Sequence, residues 1–155
     1  MKTILAAVDF SPAGAAVVPH AKALARAFNA RVVLLTVVQP PIITSDYSVL
    51  MENVVEITAI GEKAASVRLA KLRTVLAKDI KVVVTEQATG SPAQAIVDAA
   101  KKMKADYIVM GSHGHTALYD LVVGSTTHGV LKRAPCPVVI ARAEKPQPAR
   151  RRARR

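Results

Sequence analysis

The sequence predicts one α/β domain, a mostly parallel sheet with helices on both faces, and three observations lead there. Five short apolar runs read as strands: Thr3–Val8, Arg31–Val38, Ile80–Gln87, Tyr107–Met110 and Val138–Arg142. Segments with helical spacing separate them, and strands that alternate with helices build parallel sheets with right-handed crossovers. The composition is 51% hydrophobic but only 3% aromatic, with no Trp, so the core is aliphatic. A chain of 155 residues suits a single domain with a substantial core.

The first strand, Thr3–Val8, ends at Asp9. Phe10, Ser11 and Pro12 turn the chain, with Ser11 placed as a helix cap and Pro12 at the first helical position. Val17, Ala21, Leu24 and Phe28 then fall on one helical stripe. Pro19 interrupts it, so the helix either bends there or starts later than Pro12. Arg31–Val38 is a β-branched strand stopped by Gln39-Pro40-Pro41. After a loop over 39–49, a long helix runs from about Leu50 to Ala77. Its apolar positions are read as Leu50, Val54, Ile57, Ala64, Val67, Leu72 and Val75, with Gly61 marking a bend. Its Lys and Arg residues read as a solvated face.

Ile80–Gln87 forms the third strand, and Thr89-Gly90-Ser91-Pro92 repeats the turn-and-cap pattern. The helix after it carries Ala95, Ile96, Ala99, Ala100 and Met103. The fourth strand leads into Gly111-Ser112-His113-Gly114, and nine residues later come Gly124, Ser125 and Thr126 before a helix over Thr127–Arg133. Ser or Thr before a helix caps it, and the open N–H groups of a first turn attract anions. Proline 135 and proline 137 flank Cys136 ahead of the fifth strand.

The spacing G-x2-G-x9-G-[ST] is neither a Walker A loop nor a G-x-G-x-x-G fingerprint. By itself it fits a phosphate cradle and a pair of tight turns about equally. Asp9 suits a ribose hydroxyl, an adenine amine, a metal-bound water or simply a turn. His113 reads as a phosphate contact or a solvated loop residue, while His115 and His128 read as solvated residues without a role in the site. No Lys or Arg lies between Asp106 and Thr127, so phosphate charge falls to helix amides, a histidine, or bound Mg²⁺ or Mn²⁺. No catalytic constellation stands out, because Ser112 lacks a G-x-S-x-G elbow.

The glycine spacing, the opening Ala7-Val8-Asp9-Phe10-Ser11 and the proline-then-strand ending resemble the universal stress protein family, in its ATP-binding branch, over about residues 1–143. The resemblance implies a doubly wound five-stranded sheet of order 3-2-1-4-5, with a nucleotide at the switch point between strands one and four. It implies a site of Ala7, Asp9, Ser11, Val37, Met110, Gly111, His113, Gly114, Gly124, Ser125 and Thr126, with Val37 meeting the adenine edge through its backbone. It also implies a homodimer pairing through Val138–Arg142, and a regulatory, stress-response nucleotide binder. Slow ATP hydrolysis or self-phosphorylation, at Ser125 or Thr126, is the enzymatic alternative.

Net charge is +11, but Lys145, Arg150, Arg151, Arg152, Arg154 and Arg155 carry six of the positive charges, leaving +5 for the rest. Residues 144–155 are therefore expected to be a disordered basic tail, separate from the domain at 1–143. A further alternative function is weak polyanion or nucleic-acid binding through Arg150–Arg155, sensitive to salt. A single cysteine fits a reducing compartment, and with no leader or spanning run in the sequence a cytoplasmic location and no membrane partner are expected.

Overall fold

Most positions of the central strands are apolar because both of their faces are covered. The computed structural model describes residues 1–41, 49–112 and 124–142. In order they form β1 (Thr3–Ala7), a 3-10 turn (Ala13–Ala16), α1 (Val17–Phe28), β2 (Arg31–Val38) and α2 (Val49–Leu76). β3 (Val83–Thr89), α3 (Pro92–Lys102), β4 (Tyr107–Gly111), α4 (Ser125–Arg133) and β5 (Val138–Ala141) follow. All strand pairs are parallel, in the order β3-β2-β1-β4-β5, which is the expected doubly wound arrangement.

Side chains of a strand alternate between faces. Ile4 and Ala6 of β1 join Val32 and Leu34 of β2 in a core with Val17 and Ala21 of α1 and Leu69 and Leu76 of α2. The intervening Leu5, Val33 and Leu35 enter a second core with Ile96 and Ala99 of α3 and Val130 of α4. Helices therefore cover both faces, and a fully buried parallel sheet needs continuous apolar runs rather than alternation.

Several boundaries and one stripe differ from the sequence reading. Pro19 sits in the first turn of α1, because α1 starts at Val17 after the 3-10 turn. A first-turn residue has no intrahelical N–H bond to lose, so the helix need not bend there. β3 starts at Val83, not Ile80, because the N–H groups of Asp79 and Ile80 turn back to the Leu76 carbonyl. It runs on to Thr89 because β2 supplies partners up to Val38. α2 buries Ala65, Leu69 and Leu76, whereas Ile57 and Val67 are exposed. Apolar residues at helical spacing occur on two sides of this helix, and only packing against the sheet selects one.

Ser91 occupies the cap position of α3 without a side-chain bond, and Gly90, at φ +125°, makes the turn that precedes it. At the opposite end of the sheet, Lys22 pairs with Asp79, and Arg26 lies 3.5 Å from the same carboxylate. Among the described residues no helix is long and apolar enough to cross a membrane. His113, Gly114 and the basic tail lie outside the described residues.

Candidate nucleotide site

The strand order reverses on either side of β1, so α1, which follows β1, and α4, which follows β4, lie on opposite faces and leave a crevice between the strand ends. Four pieces of chain shape it. The first is the end of β1. Asp9 accepts hydrogen bonds from the Ser11 N–H at 3.0 Å and the Ser11 hydroxyl at 2.8 Å. The same hydroxyl oxygen accepts from the Gly14 N–H at 2.9 Å. Ser11 is buried at 4% exposure and does not line the crevice, so its part is to hold Asp9. Phe10 between them sits at φ 58°, a left-handed conformation that costs a non-glycine residue about 1–2 kcal/mol. Its ring meets the core of the first face and the Arg68 guanidinium, 5.5 Å from the ring centroid.

The second piece is the overhang of β2. The last pair of β1 and β2 is Ala7 with Leu35, after which the Val8 N–H bonds the Leu35 carbonyl. In a parallel ladder successive residues address opposite neighbours. Leu35 addresses β1, and Val38 accepts from Gly90 on the β3 side. Val37 therefore directs its N–H and C=O past the end of β1, into the crevice. Leu35, Val37 and Gln39 line it from one face of the strand, two apolar side chains and then an amide at the rim.

The third and fourth pieces are the end of β4 and the start of α4. The Gly124 N–H bonds the Ser112 carbonyl at 3.2 Å, and the Thr127 hydroxyl reaches the Gly111 carbonyl at 3.0 Å and the Ser112 carbonyl at 3.4 Å. α4 begins at Ser125 with Gly124 as its cap, so Ser125 and Thr126 are first-turn residues and not the caps expected from the sequence. The first intrahelical bond runs from the His128 N–H to Gly124. The amides of Ser125, Thr126 and Thr127 thus have no intrahelical acceptor and form the positive end of the helix dipole.

Together these pieces enclose about 320 Å³, lined by Ala7, Val8, Asp9, Leu35, Val37, Gln39, Pro92, Ile96, Met110, Gly111, Gly124, Ser125, Thr126 and Thr127. That volume is at the lower end of the range for small-molecule sites. One half is an apolar slot and the other a set of amides and hydroxyls. Of the residues expected from the sequence, Ala7, Asp9, Val37, Met110, Gly111, Gly124, Ser125 and Thr126 converge here. Sequence reasoning missed Val8, Leu35, Gln39, Pro92, Ile96 and Thr127. The period-two face through Val37 contains a signal for Leu35 and Gln39. Pro92 and Ile96 carry none, since only the packing of α3 beside β2 brings them in. Among the described residues no group of three or more His, Cys, Asp or Glu side chains is arranged to hold a metal.

The sequence profile described as the universal stress protein family matches residues 1–142. This chain belongs to that family. A universal stress protein of Thermus aquaticus is 37% identical over 146 residues, covering 91% of this chain and 98% of that protein. A shorter match, 46% identical over 61 residues, to universal stress protein MJ0531 of Methanocaldococcus jannaschii covers 39% of this chain and 36% of that one. Among solved structures, UspA of Lactobacillus plantarum superposes with a TM-score of 0.79 at 27% identity, covering 91% of this chain and 97% of that one. Two more distant members share the fold. One is a complex with cAMP, at 22% identity and TM-score 0.60, covering 92% and 98% of the two chains. The other, from Archaeoglobus fulgidus, is a complex with dAMP, at 21% identity and TM-score 0.58, also covering 92% and 98%.

Proposed function

We propose that this member of the family is a regulatory protein that binds an adenine nucleotide, ATP above all, in the crevice between β1 and β4. The observation that carries the reading is the pairing of an apolar slot beside the open Val37 peptide groups with the amide-and-hydroxyl end formed by Gly124–Thr127. The slot suits a flat base, and the free N–H and C=O of Val37 match the acceptor–donor edge of adenine. The open amides of α4 and the hydroxyls of Ser125 and Thr126 suit phosphate oxygens. Asp9 shares the lining with both and suits a ribose hydroxyl. The cAMP and dAMP complexes of relatives support the adenine class.

Among the described residues Asp9 is the ionisable side chain of the lining, and its carboxylate is held by Ser11. A Mg²⁺ or Mn²⁺ ion would then be carried by the phosphates, with Asp9 the nearest protein carboxylate in the lining. β5 stands at the end of the sheet with Val138, Val139 and Ile140 half-buried, and we propose that it pairs with a second copy.

Calorimetric titration with ATP, with and without Mg²⁺, tests the reading. Saturable binding is expected in the native chain. Gly124→Asp places a carboxylate where phosphate would lie. At about 4 Å and an effective dielectric near 20, like-charge repulsion is roughly 4 kcal/mol, several hundred-fold in affinity. Absence of binding by the native protein, or full retention by Gly124→Asp, refutes the site.

A further inference from the structure

We infer that Thr127 is a positioning residue that locks the two halves of the phosphate cradle together. The inference rests on the nucleotide reading above. It starts from a buried polar group: Thr127 is 2% exposed, yet it lies in the first turn of a helix that faces the crevice. A buried hydroxyl must spend its proton on an acceptor. Here the acceptors are the Gly111 carbonyl at 3.0 Å and the Ser112 carbonyl at 3.4 Å, the last residues of the β4 end.

These bonds join segments 15 and 16 residues apart in the chain. Among the described residues, the backbone bond between the same segments runs from the Gly124 N–H to the Ser112 carbonyl at 3.2 Å. That bond by itself would leave α4 a pivot about Gly124. A second anchor three residues on, nearly one helical turn, removes the pivot and fixes the direction in which the Ser125 and Thr126 amides point. Val130, fully buried one turn further along, seats the same helix face on Ile96 and Met110 of the second core. Threonine meets both demands, a short hydroxyl for the carbonyls and a β-branched body for a buried site.

The apolar slot is built mainly from β1, β2 and α3 with Met110 of β4, and the Thr127 hydroxyl bonds none of its side chains. The consequence is selective. Loss of the hydroxyl weakens ligands held through phosphate and spares those held through the base and ribose. The experiment compares ATP and adenosine binding to the native chain, Thr127→Val and Thr127→Ser, alongside the melting temperature of each protein without ligand. Thr127→Val is expected to weaken ATP about tenfold while leaving adenosine within twofold, and Thr127→Ser to restore ATP binding. If Thr127→Val does not fold, Thr127→Ala removes the same hydroxyl with less steric demand and carries the comparison. Equal losses of ATP and adenosine, or unchanged ATP binding in a folded variant, overturn the inference. No binding of either ligand by the native chain overturns the nucleotide reading and the inference with it, whereas binding by the native chain with unchanged variants overturns this inference alone.

Discussion

Gly14→Ala isolates how Asp9 is held, because two opposing effects have different sources. An added Cβ at Gly14 meets the Asp9 Oδ1 at 2.2 Å, well inside any tolerable contact. The carboxylate is the movable partner, so it must leave, and the bonds from the Ser11 N–H and hydroxyl go with it. A hydrogen bond to a charged group is worth about 1.5 kcal/mol at the low end, and solvent exposure of Asp9 roughly halves each, so about 1.5 kcal/mol is lost. Against this, Ala is favoured over Gly in helical backbone by up to about 1 kcal/mol, and by less in a short 3-10 turn, about 0.5. The net is a destabilisation of about 1 kcal/mol, read as a fall of roughly 2–4 °C in melting temperature for a chain of this size. In an Asp9→Ala background the obstacle is gone, and the same Gly14→Ala change is expected to be neutral or stabilising. Thermal melts of the four proteins of this cycle measure the sign reversal. A destabilisation of equal size in both backgrounds refutes the account of Asp9 as the clashing partner.

Gly124→Asp, expected to weaken ATP binding several hundred-fold, is expected to leave the melting temperature unchanged or slightly raised, since Asp is a favoured cap and its charge suits the helix dipole; a fall of several degrees shows that Gly124 is needed by the backbone itself. The Lys22 ammonium bonded to Asp79 holds its carboxyl below the ordinary value of 3.8, against a smaller upward push from burial. With the folded pKa depressed, the pair stabilises in full above the unfolded pKa and its contribution is lost as pH falls through the folded value. The melting difference between native protein and Asp79→Asn should therefore persist at neutral pH and shrink as pH falls below the ordinary value of 3.8, and a gap that widens in acid contradicts the assignment. Burial, with the Asp106 charge behind it, pushes the Cys136 thiol above its ordinary range. Iodoacetamide should modify it more slowly in the folded protein than in urea at the same pH, and fast modification at neutral pH contradicts this.

Much of the crevice was legible in the residues because glycine and the strand-end carboxylate carry local signals. Gly111, Gly124 and Asp9 mark turns whatever the packing, and the apolar runs of β1, β2 and β4 state that those strands are buried on both faces. Together with the family resemblance this was enough for the sheet order and for eight residues of the lining. Ser11 was drawn to the site by its place beside Asp9, but the direction of its hydroxyl turns it into the holder of Asp9 and leaves it behind the surface.

Along the chain itself, short-range chemistry determined where strands and turns form: β-branched runs, prolines at helix starts, glycines where the backbone must turn. Tertiary structure decided what no local pattern encodes. α2 has apolar residues on two sides, and docking on the sheet chose Leu69 and Leu76 over Ile57 and Val67. Pro92 and Ile96 entered the cleft only because α3 packs beside β2. Thr127 became a cross-link only when α4 met the end of β4, since a hydroxyl has no meaning as an anchor until an acceptor stands within 3 Å of it.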